Sequence, residues 1–308
     1  MARSPRSGPS RCGERITLRL LTILARFGTE RYPHAEQEIA DILQRQMPGI
    51  DRTVVVVDNA LPKGFEERHP QRMVIGGDNG AQEFSAFDCA LGSVGSDIWS
   101  YDLVHFATSA FNTLYVNYLQ RFDAALLEAV SCRPICVGHI DCYNEAVEIL
   151  GCRTQHWIRT CFFFLPPTEV KALGSFVTIR DGRRFFSSNP ESPFRADAPL
   201  SQQYRQYIID WLTGVNIGQG VTWHSHFTLA SETLPAFEHK ALSIMNEHLL
   251  AVRLRAMSCR LIDVTWLATM LARNRAASVR WNTNWQQQLA NRDRDVLVLS
   301  SSREPTVP

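Results

Sequence analysis

Polar residues follow several short apolar runs of the chain, and their types suit the binding of a nucleotide. Asp58 and Asn59 follow Thr53 and four consecutive valines. A carboxylate at the end of a buried strand can accept hydrogen bonds from a ribose hydroxyl or a base N–H group. The same pair also suits an Asx turn that only ends the strand. Their place after a β-branched run favours the ligand-binding interpretation.

A glycine-rich loop, Gly-Gly-Asp-Asn-Gly at residues 76–80, joins the next apolar run to a segment of helical spacing. Its glycines permit positive φ angles and a close approach of the backbone to a ligand. The first amides of the following helix could then face phosphate or ribose hydroxyls, with Asp78, Asn79 and Glu83 beside them. The spacing is neither that of a P-loop nor that of a dinucleotide-binding fingerprint. A tight turn capped by Asp78 or Asn79 is an equal alternative.

The segments that carry these residues alternate between two periodicities. Apolar runs of strand length alternate with segments of helical spacing from Leu18 to Gly138. This pattern predicts an α/β fold with a mostly parallel sheet flanked by helices. Ligands of such open sheets bind beyond the carboxyl ends of the strands. That rule selects residues 26–29, 58–60, 77–83, 108–111 and 139–144.

The second half of the chain is less regular. Its predicted elements are a strand at 157–165, a helix at 201–212, a strand at 221–229 and helices at 234–255 and 261–273. We predict one domain over residues 15–230, followed by a C-terminal helical extension at 231–295. Residues 1–14 and 296–308 lack an apolar period, so a disordered leader and a flexible tail are expected there.

Composition excludes several classes of protein. The 308 residues include 32 Lys and Arg against 31 Asp and Glu, and this balance disfavours nucleic-acid binding. No apolar run is long enough to span a membrane, and no cleavable signal is evident, so a cytoplasmic protein is expected. The cysteines between Cys132 and Cys161 form no C-x-x-C pair, which favours reduced, buried thiols over a zinc site.

These segments together resemble GT-A glycosyltransferases, in particular the family-2-type and rhamnan-synthesis-type enzymes of bacterial polysaccharide assembly. R-L-L-T-I-L-A-R-F-G-T resembles the family's opening strand, and V-V-V-V-D-N-A-L-P resembles the second strand, whose terminal acid contacts the base. G-G-D-N-G-A-Q-E-F-S-A-F-D-C-A-L resembles the Asn-rich loop and its helix. Y-D-L-V-H-F-A-T-S-A-F falls where the family carries Asp-x-Asp. The resemblance covers residues 16–230 and implies a GT-A-like domain with a nucleotide-binding half at 15–145 and an acceptor half at 146–230.

The resemblance implies transfer of a sugar from a nucleotide-diphosphate donor to a glycan or lipid-linked acceptor in surface polysaccharide biosynthesis. The implied donor-binding residues are Arg26, Asp58, Asn59, Asp78, Asn79, Glu83, Thr108 and Ser109. Because Thr108-Ser109-Ala110 replaces Asp-x-Asp, no metal ligands are predicted and a need for Mg²⁺ or Mn²⁺ stays open. Either Arg or His side chains offset the charge of the leaving group, or the protein is a non-catalytic sugar-nucleotide-binding relative.

The acceptor side of the family implies a carboxylate base and aromatic contacts. The helix near residue 201 begins with Ser-Gln-Gln, so Asp141 is the first candidate for the base, with a strand-end cap as its alternative. Trp157 and Arg159 are predicted to contact substrate. His224 and His226 alternate along a predicted strand and could meet a phosphate, with His226 as a second catalytic candidate. A metal site that combines them with Asp141 has no supporting spacing.

Two further alternatives concern the whole chain. A Rossmann-like methyltransferase is disfavoured, because no glycine-rich loop directly follows the first predicted strand. The tryptophan-rich residues 281–285 could lie on a membrane surface or cover a helix, and peripheral contact with the inner membrane face therefore stays open.

Overall fold

The protein is described by a computed structural model that covers residues 17–113, 116–215, 226–273, 281 and 284–292. Its strands are β1 (Arg19–Arg26), β2 (Asp51–Asp58), β3 (Glu66–His69), β4 (Arg72–Gly76), β5 (Leu103–Thr108), β6 (Ile135–Ile149), β7 (Cys152–Leu165) and β8 (Arg260–Asp263). Its α-helices are α1 (Ala35–Gln46), α2 (Glu83–Val94), α3 (Ala124–Ser131), α4 (Pro167–Leu173), α5 (Gln202–Thr213), α6 (Leu234–Ala256), α7 (Val264–Arg273) and α8 (Trp285–Ala290). The leader and the tail predicted at the two ends lie outside the described residues.

One mixed sheet contains these strands in the order β3-β4-β2-β1-β5-β7-β6-β8. Strands β4, β2, β1 and β5 are parallel to one another. Strand β7 runs antiparallel to both β5 and β6, and β8 is parallel to β6. The predicted α/β class with a mostly parallel sheet is therefore confirmed.

Helices cover both faces of the sheet because the central strands are apolar on both sides. In β2, Val55 and Val57 belong to one core cluster while Val54 and Val56 belong to the other. Helices α2, α4 and α6 contribute to the first cluster, and α1, α3 and α7 contribute to the second. Near-continuous β-branched runs are typical of strands that are buried on both faces.

The long β6–β7 hairpin is the main departure from the predicted elements. The prediction ended β6 at Gly138, but the strand continues to Ile149 through the largely polar segment 141–148. Leu150 and Gly151, which join β6 to β7, both have positive φ. A two-residue loop of this kind matches the twist of paired antiparallel strands. The hairpin escaped prediction because polar residues interrupt the apolar run after Ile140, although Val147 and Ile149 near its tip are buried in a third core cluster.

Two other predicted elements differ in extent. The helix predicted at 114–130 is a 3-10 turn at Asn117–Arg121 followed by α3. Helix α3 begins late because the carboxylate of Asp123 accepts a hydrogen bond from Leu126 N and caps it. Of the strand predicted at 221–229, residues 221–225 lie outside the described residues, and residues 226–229 belong to no strand.

The C-terminal part is integrated with the sheet. The helices predicted at 231–295 are present as α6 and α7, but the segment also contains β8, which pairs with β6. Trp285 stacks on His156 with ring centroids 4.9 Å apart, and Arg133 lies over Trp281. Both tryptophans thus contact the domain itself. Within the described ranges, no helix is long and apolar enough to cross a membrane.

Candidate functional site

A cavity of about 530 Å³ lies at the carboxyl ends of the parallel strands. The loops that follow β1, β2, β4 and β5 form one wall, which we call the strand-end wall. The β6–β7 hairpin, α5 and α6 form the opposite wall, which we call the α6 wall. The cavity occupies the edge of the sheet where ligands of open α/β sheets bind.

Most residues that the sequence singled out meet in this cavity. The predicted residues that line it are Arg26, Asn59, Asn79, Glu83, Thr108, Ser109, Asp141, Trp157 and Arg159. Asp58 and Asp78 are not among its lining residues. His226 is exposed and lies away from the cavity lining, so the structure does not join it to Asp141. His224 lies outside the described residues.

Asp58 lies behind the strand-end wall and organises it. Its carboxylate accepts hydrogen bonds from Arg26 Nε at 2.7 Å, Gly28 N at 2.8 Å and Ala60 N at 3.0 Å. Burial alone would raise the pKa of Asp58, but these two backbone amides and the Arg26 guanidinium hold it below its ordinary value. Asp58 therefore supports Arg26, which lines the cavity, and it forms the Asx turn that was the alternative to direct ligand contact.

The glycine-rich loop uses its glycines for close packing. A Cβ at Gly76 would lie 1.9 Å from the carbonyl oxygen of Pro62, and one at Gly77 would lie 1.9 Å from Asn59 Oδ1. The positive φ angles expected of the glycines occur instead at Asn79 and Gln82. From the loop after β2, Asn59 Nδ2 donates to Asn79 Oδ1 at 3.1 Å. These contacts present Asn79 and Gln82 to the cavity.

Asp78 forms the turn rather than part of the cavity. Its Oδ1 accepts a hydrogen bond from Gly80 N at 2.9 Å, and the residue is exposed. This is the capped tight turn that the sequence allowed as the alternative to ligand binding.

Asp141 and Arg159 form an ion pair in the cavity wall. Arg159 Nε donates to Asp141 Oδ2 at 2.5 Å, and Arg159 Nη2 donates to Oδ1 at 3.2 Å. Burial would raise the pKa of Asp141, but the Arg159 guanidinium and the ring of His139 hold it far below its usual range. A carboxylate held so firmly ionised is a weak proton acceptor at neutral pH, which disfavours Asp141 as a base.

Aromatic rings form the part of the α6 wall around Trp157. Trp157 is 7% exposed and lies 4.7 Å from the ring of Tyr143, which stacks on Tyr207 at 4.6 Å. Burial lowers the pKa of His248 to about 3, so this ring beside Trp157 is neutral. Trp211 of α5 also lines the cavity and is 41% exposed. This surface offers apolar ring faces to a ligand.

Helix α6 supplies the functional residues that the sequence analysis missed. Lys240, Ser243, Glu247 and His248 all line the cavity and recur at helical spacing. That polar stripe is visible in the sequence and could have indicated a functional face. The sequence pattern predicted α6 as part of a separate helical extension and gave no sign that this face would meet the strand ends.

Glu247 is the carboxylate of the cavity best suited to accept a proton. Its Oε1 accepts hydrogen bonds from Thr160 N at 2.8 Å and Thr160 Oγ1 at 2.9 Å. Burial raises the pKa of Glu247 to about 7; the nearby charges of Glu83 and Asp141 act in the same direction, while the Thr160 bonds oppose it. A general base works best when its pKa lies near the operating pH. Glu247 meets that condition, with an orientation set by Thr160.

The cations of the cavity fall into two groups. Arg26 and Arg159 are each bonded to a carboxylate, Asp58 and Asp141 respectively. Arg31 and Lys240 also line the cavity, and no described carboxylate forms an ion pair with either of them. Lys240 Nζ instead donates to Gln82 Oε1 at 3.4 Å. A phosphorylated ligand would meet two cations whose charge is not offset by an ion pair.

The described residues include no cluster that could hold a divalent metal ion by itself. In that part of the chain, no three His, Cys, Asp or Glu side chains are grouped to hold one. Thr108 and Ser109 offer neutral oxygens at the end of β5. Hydroxyl groups lack the negative charge with which carboxylates bind Mg²⁺. Asp58 and Asp141, the predicted carboxylates closest to this role, are bonded to arginines.

Comparison with known proteins does not identify a family for this chain. No protein-family model matches the chain. No curated protein matches it either. Because a fold hosts many functions, the function has to be inferred from the chemistry of the site.

Proposed function

We propose that this protein is a glycosyltransferase that moves a sugar from a nucleotide-diphosphate donor to a hydroxyl of a glycan or lipid-linked acceptor. The observation that carries the proposal is that Glu247, a carboxylate with a pKa near 7, lines the same cavity as the strand-end residues. One cavity thus combines groups that suit a nucleotide with a group that can activate a hydroxyl. The proposed setting is the cytoplasm, with contact at the inner membrane face where the acceptor is lipid-linked.

The strand-end wall suits the donor. Asn59 and Asn79 present amides, Thr108 and Ser109 present hydroxyls, and Arg26 presents a guanidinium held by Asp58. These groups match the hydroxyls of a ribose and the oxygens of a phosphate. Because the Asn59–Asn79 and Arg26–Asp58 hydrogen bonds are already made, these side chains need little rearrangement when a ligand enters.

The α6 wall suits the acceptor and the chemical step. An acceptor sugar would lie on the rings around Trp157, with its reacting hydroxyl at Glu247. Glu247 accepts the hydroxyl proton while that oxygen forms its bond to the anomeric carbon of the donor. The electron pair of the broken glycosidic bond leaves with the nucleoside diphosphate. The Asp141–Arg159 pair stays ionised in the same wall.

A thermal-shift panel of uridine, guanosine and thymidine diphosphates and their sugars tests the donor class. A ligand present at about 100 times its Kd adds roughly 2.7 kcal/mol to the free energy of unfolding, which raises Tm by several degrees. We expect a shift with one nucleotide family and release of its diphosphate when acceptor lipids or glycans are added. The absence of a shift with every nucleotide, in a folded sample, would refute the proposal.

A non-catalytic sugar-nucleotide-binding protein is the second candidate. The observation that favours it is the Thr108-Ser109-Ala110 strand end, because no described carboxylate there can hold a metal for the leaving group. This candidate shares the donor pocket and differs in turnover. Donor binding without diphosphate release, in the presence of extracted acceptors and with Mn²⁺ supplied, would favour it. Release that depends on Glu247 would exclude it.

A further inference from the structure

Three described carboxylates near the strand-end wall already have partners. Asp141 is bonded to Arg159, Asp58 to Arg26, and Glu83 Oε1 accepts from Ser243 Oγ at 3.0 Å. Thr108 and Ser109, at the end of β5, line the same cavity and carry no charge. A departing diphosphate carries several negative charges, which enzymes offset with metal ions or with cationic side chains. Since Asp58 and Asp141 are held by arginines, the cationic side chains of the cavity are the groups that can offset this charge.

Lys240 is the cation best placed for that role. It extends from α6 to the segment that follows the glycine-rich loop, where Nζ donates to Gln82 Oε1 at 3.4 Å. Its contact is a weak bond to a neutral amide, so its charge remains available within the described part of the cavity. An ammonium group is a compact charge with three donors that can serve several phosphate oxygens.

The neighbours of Lys240 are consistent with this role. Burial lowers the pKa of His239 below its ordinary value, so this residue contributes a neutral ring. Ser243 lies one helical turn from Lys240 on α6, and its hydroxyl donates to the carboxylate of Glu83. Glu83 is therefore the negative group near Lys240. Its carboxylate suits the hydroxyls of a ribose or a sugar, which leaves the phosphates to Lys240.

We propose that the donor diphosphate is bound without a divalent metal ion and that Lys240 supplies the positive charge at the glycine-rich loop. This inference rests on the proposed function, because it presupposes a nucleoside-diphosphate ligand. It assigns a phosphate-binding role to a residue on the opposite wall from the strand ends. A donor that binds between the two walls then has its leaving group in the same site as Glu247.

Binding measurements with and without metal test the inference. Isothermal titration would use uridine, guanosine and thymidine diphosphates and the corresponding monophosphates, once in EDTA and once with Mn²⁺. The variants are Lys240→Gln, which removes the charge, Lys240→Arg, which keeps it, and Lys63→Gln as a control. Lys63 is an exposed lysine that does not line the cavity, so its substitution removes the same charge without removing a lining side chain.

We expect one diphosphate to bind equally in EDTA and in Mn²⁺. Lys240→Gln should weaken diphosphate binding about tenfold or more, as expected for the loss of a charge-assisted hydrogen bond. Monophosphate binding should change by less than about threefold, Lys240→Arg should recover part of the affinity, and Lys63→Gln should match the wild type.

Three results would overturn the inference in distinguishable ways. Binding that requires Mn²⁺ would refute metal-free binding while leaving the proposed function standing. Metal-free binding that Lys240→Gln leaves unchanged would refute the role of Lys240 and would again spare the proposed function. The absence of binding of any diphosphate to the wild-type protein would refute the proposed function and this inference together.

Discussion

The two walls of the cavity differ in how their charges are used. On the strand-end wall, Asp58 holds Arg26, and Asn59 holds Asn79. On the α6 wall, Lys240 has no ion-pair partner among the described carboxylates, and Glu247 has a pKa near 7. The first wall is preorganised by its internal bonds, whereas the second carries groups whose charge can still change or be matched by a ligand. Under the proposed function, the strand-end wall and Lys240 would bind the donor, and Glu247 would act on the acceptor hydroxyl.

The largest expected effect is on turnover. Glu247→Gln removes the proton acceptor while the amide oxygen can still accept the bonds from Thr160. Turnover should fall by about 10²–10⁴-fold while donor affinity stays unchanged. In the wild type, kcat/KM should rise with pH through about 7. Both are measured by diphosphate release from the donor that the binding panel identifies.

The matched control for that variant is Glu238→Gln, which removes a carboxylate from the same helix outside this cavity. It should leave turnover unchanged. Equal losses of turnover in Glu247→Gln and Glu238→Gln would show that α6 tolerates neither substitution. They would contradict the assignment of Glu247 as the base.

The next effect is on the stability of the strand-end wall. Asp58→Ala leaves Arg26 without its carboxylate and two backbone amides without their acceptor. The free energy of unfolding should fall by about 3 kcal/mol, with donor binding lost as the wall loosens. Urea denaturation at pH 7 measures the first effect. Asp51→Ala, at the exposed start of the same strand, should cost less than about 1 kcal/mol.

The carboxylates of the two walls should change the free energy of unfolding in opposite directions as the pH rises. Glu247 has a raised pKa of about 7, so its contribution to stability is present at low pH and is lost as pH rises from about 4.5 to 7. Asp58 has a lowered pKa, so its contribution is present above its unfolded pKa and is lost in acid. In the wild type, the free energy of unfolding should fall by about 2 kcal/mol over that pH window because of Glu247, and in Glu247→Gln this decrease should be absent. Urea midpoints of the two proteins at pH 5 and pH 8 measure it; parallel curves would contradict the raised pKa.

The smallest expected effect is at Asp78. Asp78→Ala removes one exposed hydrogen bond to Gly80 N and should cost less than about 1 kcal/mol. Donor affinity should be unchanged, because Asp78 does not line the cavity. Titration of the variant with the identified nucleotide checks this. A tenfold loss of affinity would return Asp78 to the binding site and weaken the distinction between the two walls.

Local sequence patterns predicted the strand-end wall well. The valine run and the apolar run before Thr108 indicated buried strands, and the polar residues after them were expected at one edge of the sheet. That expectation follows from the geometry of parallel strands and requires no knowledge of distant contacts. Asp58 shows its limit, since position alone does not decide whether a strand-end carboxylate faces a ligand or its own loop.

The sequence by itself determined the α/β class and most of the strand-end residues, because periodicity and β-branched runs are local properties. Only the tertiary structure decided that α6 lines the cavity at the carboxyl ends of the strands and that β7 runs antiparallel to its neighbours in the sheet. It also decided the chemistry of Glu247, whose pKa depends on burial and on Thr160, Glu83 and Asp141. These groups are distant along the chain, and their distances and burial are set by packing.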